Sequence, residues 1–308
     1  MTGSTAALVD EKQRTRLVSR FGKGARTWLA GLPAQVDALA AEWKLTVDGP
    51  APHGRTSVVL RCRRADDAAA VLKVSPDRAM ARSEARILRL WAGTGRVPQV
   101  WEVDEARGAI LLESVGEGRT VALDARVPAM NEIGRLIADL HAAEIPASER
   151  AELHPLHERV SFLYDMWEHL RAGGPAAEQV PASLLHHGHA RARALAADNG
   201  EGRVPLHGDL HPGNVLRGGP QRGLVAVDPR ACIGDPAWDA AEWPLWRAES
   251  VAEVEHRAAE LADVVGLPSE RVVAWAEASA PILATGLANR GETASTPRFR
   301  TLMELAGR

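Results

Sequence analysis

The sequence has few cysteines and no long apolar run. Its 308 residues include two cysteines, Cys62 and Cys232, which lie far apart and in no ligand-like pair, so a reduced, cytoplasmic setting is expected. No stretch approaches the ~20 apolar residues of a membrane span, and the first residues lack the basic start and apolar run of a signal peptide. The net charge of −3 gives no reason to expect binding to nucleic acid or to a membrane.

Lysine is also scarce, which draws attention to Lys73. Only four of the 37 basic residues are lysine, and Lys73 is the only lysine after residue 44. It lies in the β-rich run "AAVLKV", where a buried ammonium is costly unless an anion pairs with it or its tip reaches solvent. Glu84, in the next predicted helix, could be that anion. The alternatives are an edge-strand lysine and an ordinary surface glutamate.

The apolar and charged contents of 45% and 25% are those of a globular protein. The chain divides into two regions that differ in their predicted secondary structure. The first region predicts a helix over 24–43 interrupted at Pro33, a hairpin of strands 56–62 and 69–74, a helix over 79–91, and two strands around a turn at 105–108. The second region predicts helices over 131–146, 158–171, 183–198, 250–265 and 269–289. We therefore expect an α+β protein with a strand-rich lobe over 1–115 and a mainly helical lobe over 116–308.

The segment "VPLHGDLHPGNVL", residues 204–216, places polar side chains between two short apolar runs. From His207 through Asp209 to Asn214 its spacing is H-x-D-x-x-x-x-N, that of the catalytic loop of protein kinases. Phosphoryl transfer needs a carboxylate that accepts a hydrogen bond from the attacking hydroxyl and oxygen ligands for the metal that bridges the phosphates. Asp209 and Asn214 suit these roles. Asp228, at the end of the apolar run "GLVAV", suits a second metal ligand.

Each of these residues also has an ordinary structural interpretation. An isolated Asp or Asn in a loop rich in proline and glycine is usually an Asx-turn residue. His207 and His211 are interpreted as residues that organise the loop, even within the motif. The full succession of a strand, the motif, a second strand and an aspartate is far more specific for a kinase than any one of these features alone. The pattern therefore favours phosphoryl transfer.

Five segments carry a resemblance to a known family: "LHGDLHPGNVL", "AVDPRACIGDPAWDAAEW", "VLKVSP", "LLESV" and "LIADLHA". They resemble the aminoglycoside phosphotransferase family, a branch of the protein-kinase-like fold. The helical opening and the length resemble in particular its streptomycin 6-phosphotransferase/hydroxyurea phosphotransferase group. The resemblance implies a two-lobed protein-kinase-like fold that uses ATP and Mg²⁺, with a nucleotide-binding first lobe and a catalytic, substrate-binding second lobe.

For the second lobe, the resemblance assigns Asp209 as the catalytic aspartate and Asn214 and Asp228 as magnesium ligands. Asp235, in "GDP", would be a structural residue. "DPR" replaces the D-F-G of protein kinases, and the sequence between Asp228 and Asp235 has no A-P-E and no phosphorylatable activation loop. These departures indicate a constitutive kinase for small molecules.

For the first lobe, the resemblance assigns Lys73 as the phosphate contact, supported by Glu84. The segment "ILLESV" would be the hinge, where backbone groups of Glu113 and Val115 meet the adenine. The sequence contains no G-x-G-x-x-G. Backbone amides around His53–Ser57, in "DGPAPHGRTS", are therefore expected to cover the phosphates.

The expected acceptor is a hydroxyl of a cationic small molecule, with streptomycin at its 6-position as the first choice and antibiotic resistance as the result. Asp239 and Glu242 lie in a Trp-rich run and could form an acidic wall for guanidinium groups. Asp165 and Glu168 are the alternative wall, and solvated helix faces are the ordinary interpretation of all four.

Other functions stay open at this stage. Hydroxyurea, another aminoglycoside or a small metabolite could be the acceptor. A protein of another class, with a kinase-like fold that binds nucleotide without turnover, is a further alternative, although the intact set of predicted catalytic residues favours an enzyme. The pattern is compatible with a monomer and does not fix the oligomeric state.

Overall fold

The computed structural model describes residues 8–51, 56–198 and 202–308. The chain forms two compact units, residues 1–118 and 119–308. The first unit is built around a β-sheet and the second mainly from helices. The predicted α+β class is therefore confirmed, and the observed division falls just after the expected one at residue 115.

In the first unit, the described helices are α1 (Glu11–Phe21), α2 (Lys23–Glu42) and α3 (Arg78–Trp91), with a 3-10 turn at Ala92–Thr94. The strands are β1 (Thr46–Pro50), β2 (Val58–Arg63), β3 (Ala69–Val74), β4 (Val100–Asp104) and β5 (Ala109–Glu113). They form an antiparallel sheet in the order β1-β2-β3-β5-β4. Since β3 pairs on both sides, Lys73 is not an edge-strand residue.

Two features of this unit differ from the expectation. Helix α2 runs without a break through Pro33, because Leu29, Leu32, Val36 and Leu39 are buried in the same cluster as the sheet residues. That packing offsets the hydrogen bond that proline removes. Strand β1 was not predicted, since "TVDGP" lacks apolar alternation and lies half-exposed at the sheet edge.

In the second unit, the described helices are α4 (Met130–His141), α5 (Ala147–Ala151), α6 (Leu156–Ala172), α7 (Ala176–Gln179), α8 (Ala182–Ala197), α9 (Gly219–Arg222), α10 (Ala237–Ala240), α11 (Glu242–Leu245), α12 (Val251–Val265), α13 (Ser269–Ala288) and α14 (Pro297–Ala306). The strands are β6 (His154–Pro155), β7 (Val204–Leu206), β8 (Val215–Arg217), β9 (Leu224–Ala226) and β10 (Cys232–Gly234), and 3-10 turns lie at Val121–Leu123 and Pro212–Asn214.

Helix α13 is the centre of the helical core. It is buried around most of its circumference, as its apolar sequence predicts, and it packs against α8 and α14. Within residues 8–51, 56–198 and 202–308, no helix combines the length and the apolar character of a membrane span.

Short strands hold the polar loop of the second unit in place. Strand β7 ends just before His207 and pairs with β10, which also pairs with β6. Strand β8 follows Asn214 and pairs with β9, which ends just before Asp228. The chain therefore brings the loop and Asp228 to neighbouring strand ends.

The two cysteines are buried and free. Cys62 lies on β2 and Cys232 on β10, one in each unit. Burial raises the pKa of the Cys62 thiol to about 11 and raises that of Cys232 further. Neither thiol has the character of a reactive cysteine.

Candidate active site

In the first unit, Lys73 and Glu84 form the predicted ion pair. The ammonium lies 2.6 Å from Oε1 and 2.7 Å from Oε2 of Glu84, and the two side chains are 5% and 2% exposed. The pair joins β3, in the middle of the sheet, to helix α3, which begins after the N-cap Asp77. Breaking one side of such a buried pair costs about 3–5 kcal/mol, so Glu84 fixes the position of the ammonium.

The other residues predicted to bind the nucleotide make hydrogen bonds within the unit or are buried. The amide of Glu113 donates to the Gln99 carbonyl at 2.9 Å, so it is already bonded within the unit. Val115 is buried, and its carbonyl accepts a hydrogen bond from Gly118. Ser57 is buried just before β2, while His53 lies outside the described residues. The adenine and phosphate contacts at these positions stay predictions.

In the second unit, Asn214 is held by the aspartate of the motif. Its Nδ2 donates to the Asp209 carbonyl at 2.9 Å and to Asp209 Oδ2 at 3.2 Å. Because the NH₂ group faces Asp209, the amide oxygen points the other way. The backbone carbonyl of Asn214 accepts from Val227 at 2.9 Å, which places the residue next to the segment that carries Asp228.

Asp228 follows β9 in a left-handed backbone conformation, with φ of 57°. Such a conformation is unfavourable for a residue other than glycine, and it is found where the surroundings require one side-chain direction. Asp228 and Asn214 together offer a carboxylate and an amide oxygen. This donor set fits Mg²⁺, which binds through one or two carboxylates and completes its octahedron with phosphate oxygens and water.

His207 organises the loop, as predicted. It is fully buried, and its Nε2 lies 3.0 Å from the Val227 carbonyl, to which it donates. Its own carbonyl accepts from the Arg230 amide at 2.8 Å. Burial lowers the pKa of His207, so the imidazole is neutral and joins the loop to the Asp228 segment.

Asp239 does not form an acidic wall for an acceptor. Its side chain is fully buried, and its carboxylate accepts from the amides of His207 at 2.7 Å and Gly208 at 2.9 Å and from His141 Nε2 at 3.0 Å. Asp239 therefore orients the loop through the His207 and Gly208 amides and joins it to His141 at the end of helix α4. The prediction was wrong for Asp239 because sequence position alone does not show which way a side chain on a short helix points.

Glu242 stays a candidate for the acceptor side. It is half-buried at the start of α11. Burial raises the pKa of its carboxyl, the Asp209 charge raises it further, and His211 and Arg159 act in the opposite direction. The same electrostatic neighbours surround Asp209. Asp235, by contrast, is structural as expected, since it accepts from Arg271 Nε at 2.6 Å and Trp275 Nε1 at 2.7 Å.

The sequence did not point to Arg159, on α6. Its Nη2 donates to Asp209 Oδ1 at 2.7 Å, and its Nε donates to the Gly208 carbonyl at 3.0 Å. Burial acts to raise the pKa of Asp209, but Arg159 and then His211 and Arg230 outweigh it and hold the pKa below its usual value. Asp209 is therefore ionised at neutral pH, as the acceptor of a hydroxyl proton must be.

Solved structures share this fold. A choline kinase from Streptococcus pneumoniae has a TM-score of 0.58 at 16% identity, with 88% of this chain and 96% of that chain covered. The likeness shows that the chain has a kinase-like α+β fold.

The chain belongs to the aminoglycoside/hydroxyurea antibiotic resistance kinase family, which it matches over residues 42–291. It is 31% identical over 284 residues to a streptomycin 6-kinase from Streptomyces glaucescens, covering 88% of this chain and 89% of that protein. It is 36% identical over 262 residues to a hydroxyurea phosphotransferase from Kitasatospora aureofaciens, covering 83% and 73%. The resemblance found in the sequence is confirmed, and membership defines a nucleotide-using phosphotransferase for small molecules.

Proposed function

We propose that the protein transfers the γ-phosphate of ATP to a hydroxyl of streptomycin, at the 6-position, in the cytoplasm, and so gives resistance to the antibiotic. The observation that carries this proposal is the hydrogen-bonded loop of Asp209 and Asn214 beside the Asp228 segment. This is the arrangement that protein kinases use for phosphoryl transfer. The similarity to a streptomycin 6-kinase over most of both chains supports the choice of acceptor.

Each residue has a role in this reaction. Asp209 accepts the hydrogen bond and then the proton of the attacking hydroxyl, while a bond forms from that oxygen to the γ-phosphorus and the bond to the ADP oxygen breaks. Lys73, oriented by Glu84, holds phosphate oxygens. Asn214 and Asp228 would hold Mg²⁺, which when bound neutralises charge on the phosphates.

Hydroxyurea is the second candidate acceptor, and two observations favour it. The carboxylate of Asp239 is buried, so it does not contribute to the expected acidic wall for a cationic acceptor. Arg159 lies against Asp209 instead, which is unfavourable for a cationic group at that point. Hydroxyurea is neutral and carries a hydroxyl, so it needs no acidic wall.

The test is ATP consumption with streptomycin, hydroxyurea and a second aminoglycoside, followed by mass spectrometry of the acceptor. We expect one phosphate to be added to streptomycin and far slower addition when Asp209→Asn replaces the parent. A phosphate on hydroxyurea and none on streptomycin would select the second candidate. ADP formation without any phosphorylated acceptor, or no reaction with nucleotide bound, would reject the proposed function.

A further inference from the structure

The Arg159 guanidinium, on helix α6, donates hydrogen bonds to two successive residues of the loop. It donates to the Gly208 carbonyl at 3.0 Å and to Asp209 Oδ1 at 2.7 Å, across 50 residues of sequence. Its side chain is 12% exposed and that of Asp209 is 28% exposed. A planar guanidinium that binds a carbonyl and a carboxylate at once fixes the direction of both.

The loop cannot provide this arginine itself. In protein kinases the residue before the catalytic aspartate is the arginine of H-R-D. Here that position is Gly208, with φ of 76°, and a Cβ there would lie 2.1 Å from the Arg230 carbonyl oxygen. Any side chain at 208 would displace the backbone, so the arginine that contacts Asp209 is not at this position and comes instead from helix α6.

The Asp209 carboxylate is held at both oxygens. Arg159 donates to Oδ1, and Asn214 Nδ2 donates to Oδ2 at 3.2 Å. On the same side as Oδ2, His211 Nε2 lies 4.0 Å away, and its Nδ1 accepts from the Gly213 amide. Without Arg159, the hydrogen bond from Asn214 to Oδ2 remains, but the hydrogen bond to Oδ1 is lost, so the carboxylate group can turn about its Cβ–Cγ bond.

We propose that Arg159 is the positioning residue of the catalytic aspartate, and that it turns the Asp209 carboxylate so that Oδ2 faces the acceptor hydroxyl. This inference rests on the proposed catalytic role of Asp209. Arg159 supplies from helix α6 the guanidinium that Gly208 excludes from the loop.

The first test is structural and does not depend on activity. Crystal structures of the parent and of Arg159→Gln would be compared at Asp209. We expect the Asp209 carboxylate to rotate away from its parent direction in the variant. An unchanged carboxylate in Arg159→Gln would overturn the proposal, whatever the enzyme does.

The second test is kinetic, with Arg171→Gln as the matched control. Arg171 lies on the same helix and also forms a two-point contact, donating to Glu168 at 3.0 and 2.7 Å, far along the helix from Arg159. We expect Arg159→Gln to lower kcat by about 10- to 100-fold, the cost of a displaced catalytic group, with the KM for ATP nearly unchanged. Arg171→Gln should match the parent.

Rescue separates positioning from a general structural effect. Added guanidinium ion should restore part of the kcat of Arg159→Ala, and Arg159→Lys, which cannot bind both acceptors in one plane, should recover little. Equal loss in the Arg159 and Arg171 variants, or a rise in both KM values at constant kcat, would overturn the proposal. A parent that phosphorylates no acceptor would instead reject the function and leave the structural test to decide the role of Arg159.

Discussion

Each unit contains an ion pair between predicted or observed site residues, and the two pairs differ in what surrounds them. Lys73 and Glu84 are at most 5% exposed and lie 2.6 Å apart. Arg159 and Asp209 lie 2.7 Å apart, but the aspartate is 28% exposed and has further charged neighbours. The first pair is closed and joins a strand to the following helix. The second is more open, and it leaves the carboxylate of Asp209 partly exposed to solvent.

The two pairs illustrate two uses of charge, one within the folded core and one at the proposed site of reaction. A closed pair places one cation and is costly to break from one side, because the remaining charge stays buried, so removal of one member acts first on the fold. The second pair is less enclosed and lies at the proposed site of reaction, so we expect its removal to act first on the reaction. The following variants test this division.

The largest effect is expected for Asp209→Ala, which removes the group that accepts the hydroxyl proton. We expect kcat to fall by roughly 10²–10⁴-fold, while nucleotide affinity and the free energy of unfolding change little. Steady-state kinetics, calorimetric titration with an ATP analogue and denaturant unfolding would measure the three quantities. A variant that keeps most of the parent kcat would remove Asp209 from the mechanism.

Lys73→Met should act on stability, because it leaves Glu84 buried without its lysine. We expect a loss of about 3–5 kcal/mol in the free energy of unfolding. The double variant Lys73→Met/Glu84→Leu should regain most of that loss, since an apolar pair of similar volume removes both charges, and it should still bind ATP poorly. Equal stability of parent and Lys73→Met would show that the pair is not closed as described.

Asp228→Ala should weaken nucleotide binding when magnesium is present, by about tenfold or more, because it removes a charged oxygen ligand from a hard cation. Titration of an ATP analogue with and without Mg²⁺ measures this. The exposed Asp263→Ala on helix α12 is the control and should bind as the parent does. If magnesium increases the affinity of Asp228→Ala as much as that of the parent, the metal is held elsewhere.

Glu242→Gln should raise the KM for streptomycin by a few-fold and leave the KM for ATP unchanged, since it removes one half-buried carboxylate from the proposed acceptor side. If hydroxyurea is the acceptor, the KM for hydroxyurea and the KM for ATP should both stay at the parent level. An increase in the KM for ATP alone would move Glu242 to the nucleotide side.

The smallest effect concerns the pH dependence of stability. Burial raises the pKa of Glu242 in the native protein, so the native state binds this proton more tightly than the unfolded state. Its contribution therefore falls as pH rises from the ordinary range of glutamate through the raised pKa. Glu242→Gln should be more stable than the parent at neutral pH and equal to it in acid. Lower stability at neutral pH would contradict the burial argument.

The sequence predicted those parts of the site that are local along the chain. The H-x-D-x-x-x-x-N loop is a short segment between two strands, and its internal hydrogen bonds follow from its spacing. The pairing of Lys73 with Glu84 follows from a strand and the helix after it, separated by 11 residues. Local geometry is sufficient in both cases.

Features that depend on distant contacts could not be predicted. Arg159 reaches Asp209 across 50 residues, and nothing in "LHERVSFLY" distinguishes it from a surface arginine on a helix. Asp239 is an acidic residue near the expected pocket, but its direction depends on packing against the His207 and Gly208 amides. Strand β1 is set by pairing with β2 rather than by its own composition.

The two buried cysteines have a practical consequence for spectroscopy. Since neither thiol is accessible and burial keeps both protonated, maleimide reagents should leave the native parent protein unmodified. One exposed cysteine introduced into each unit would then carry a donor and an acceptor dye without any background removal of native thiols. Labels placed in this way would report separately on each unit when nucleotide is added, in single molecules.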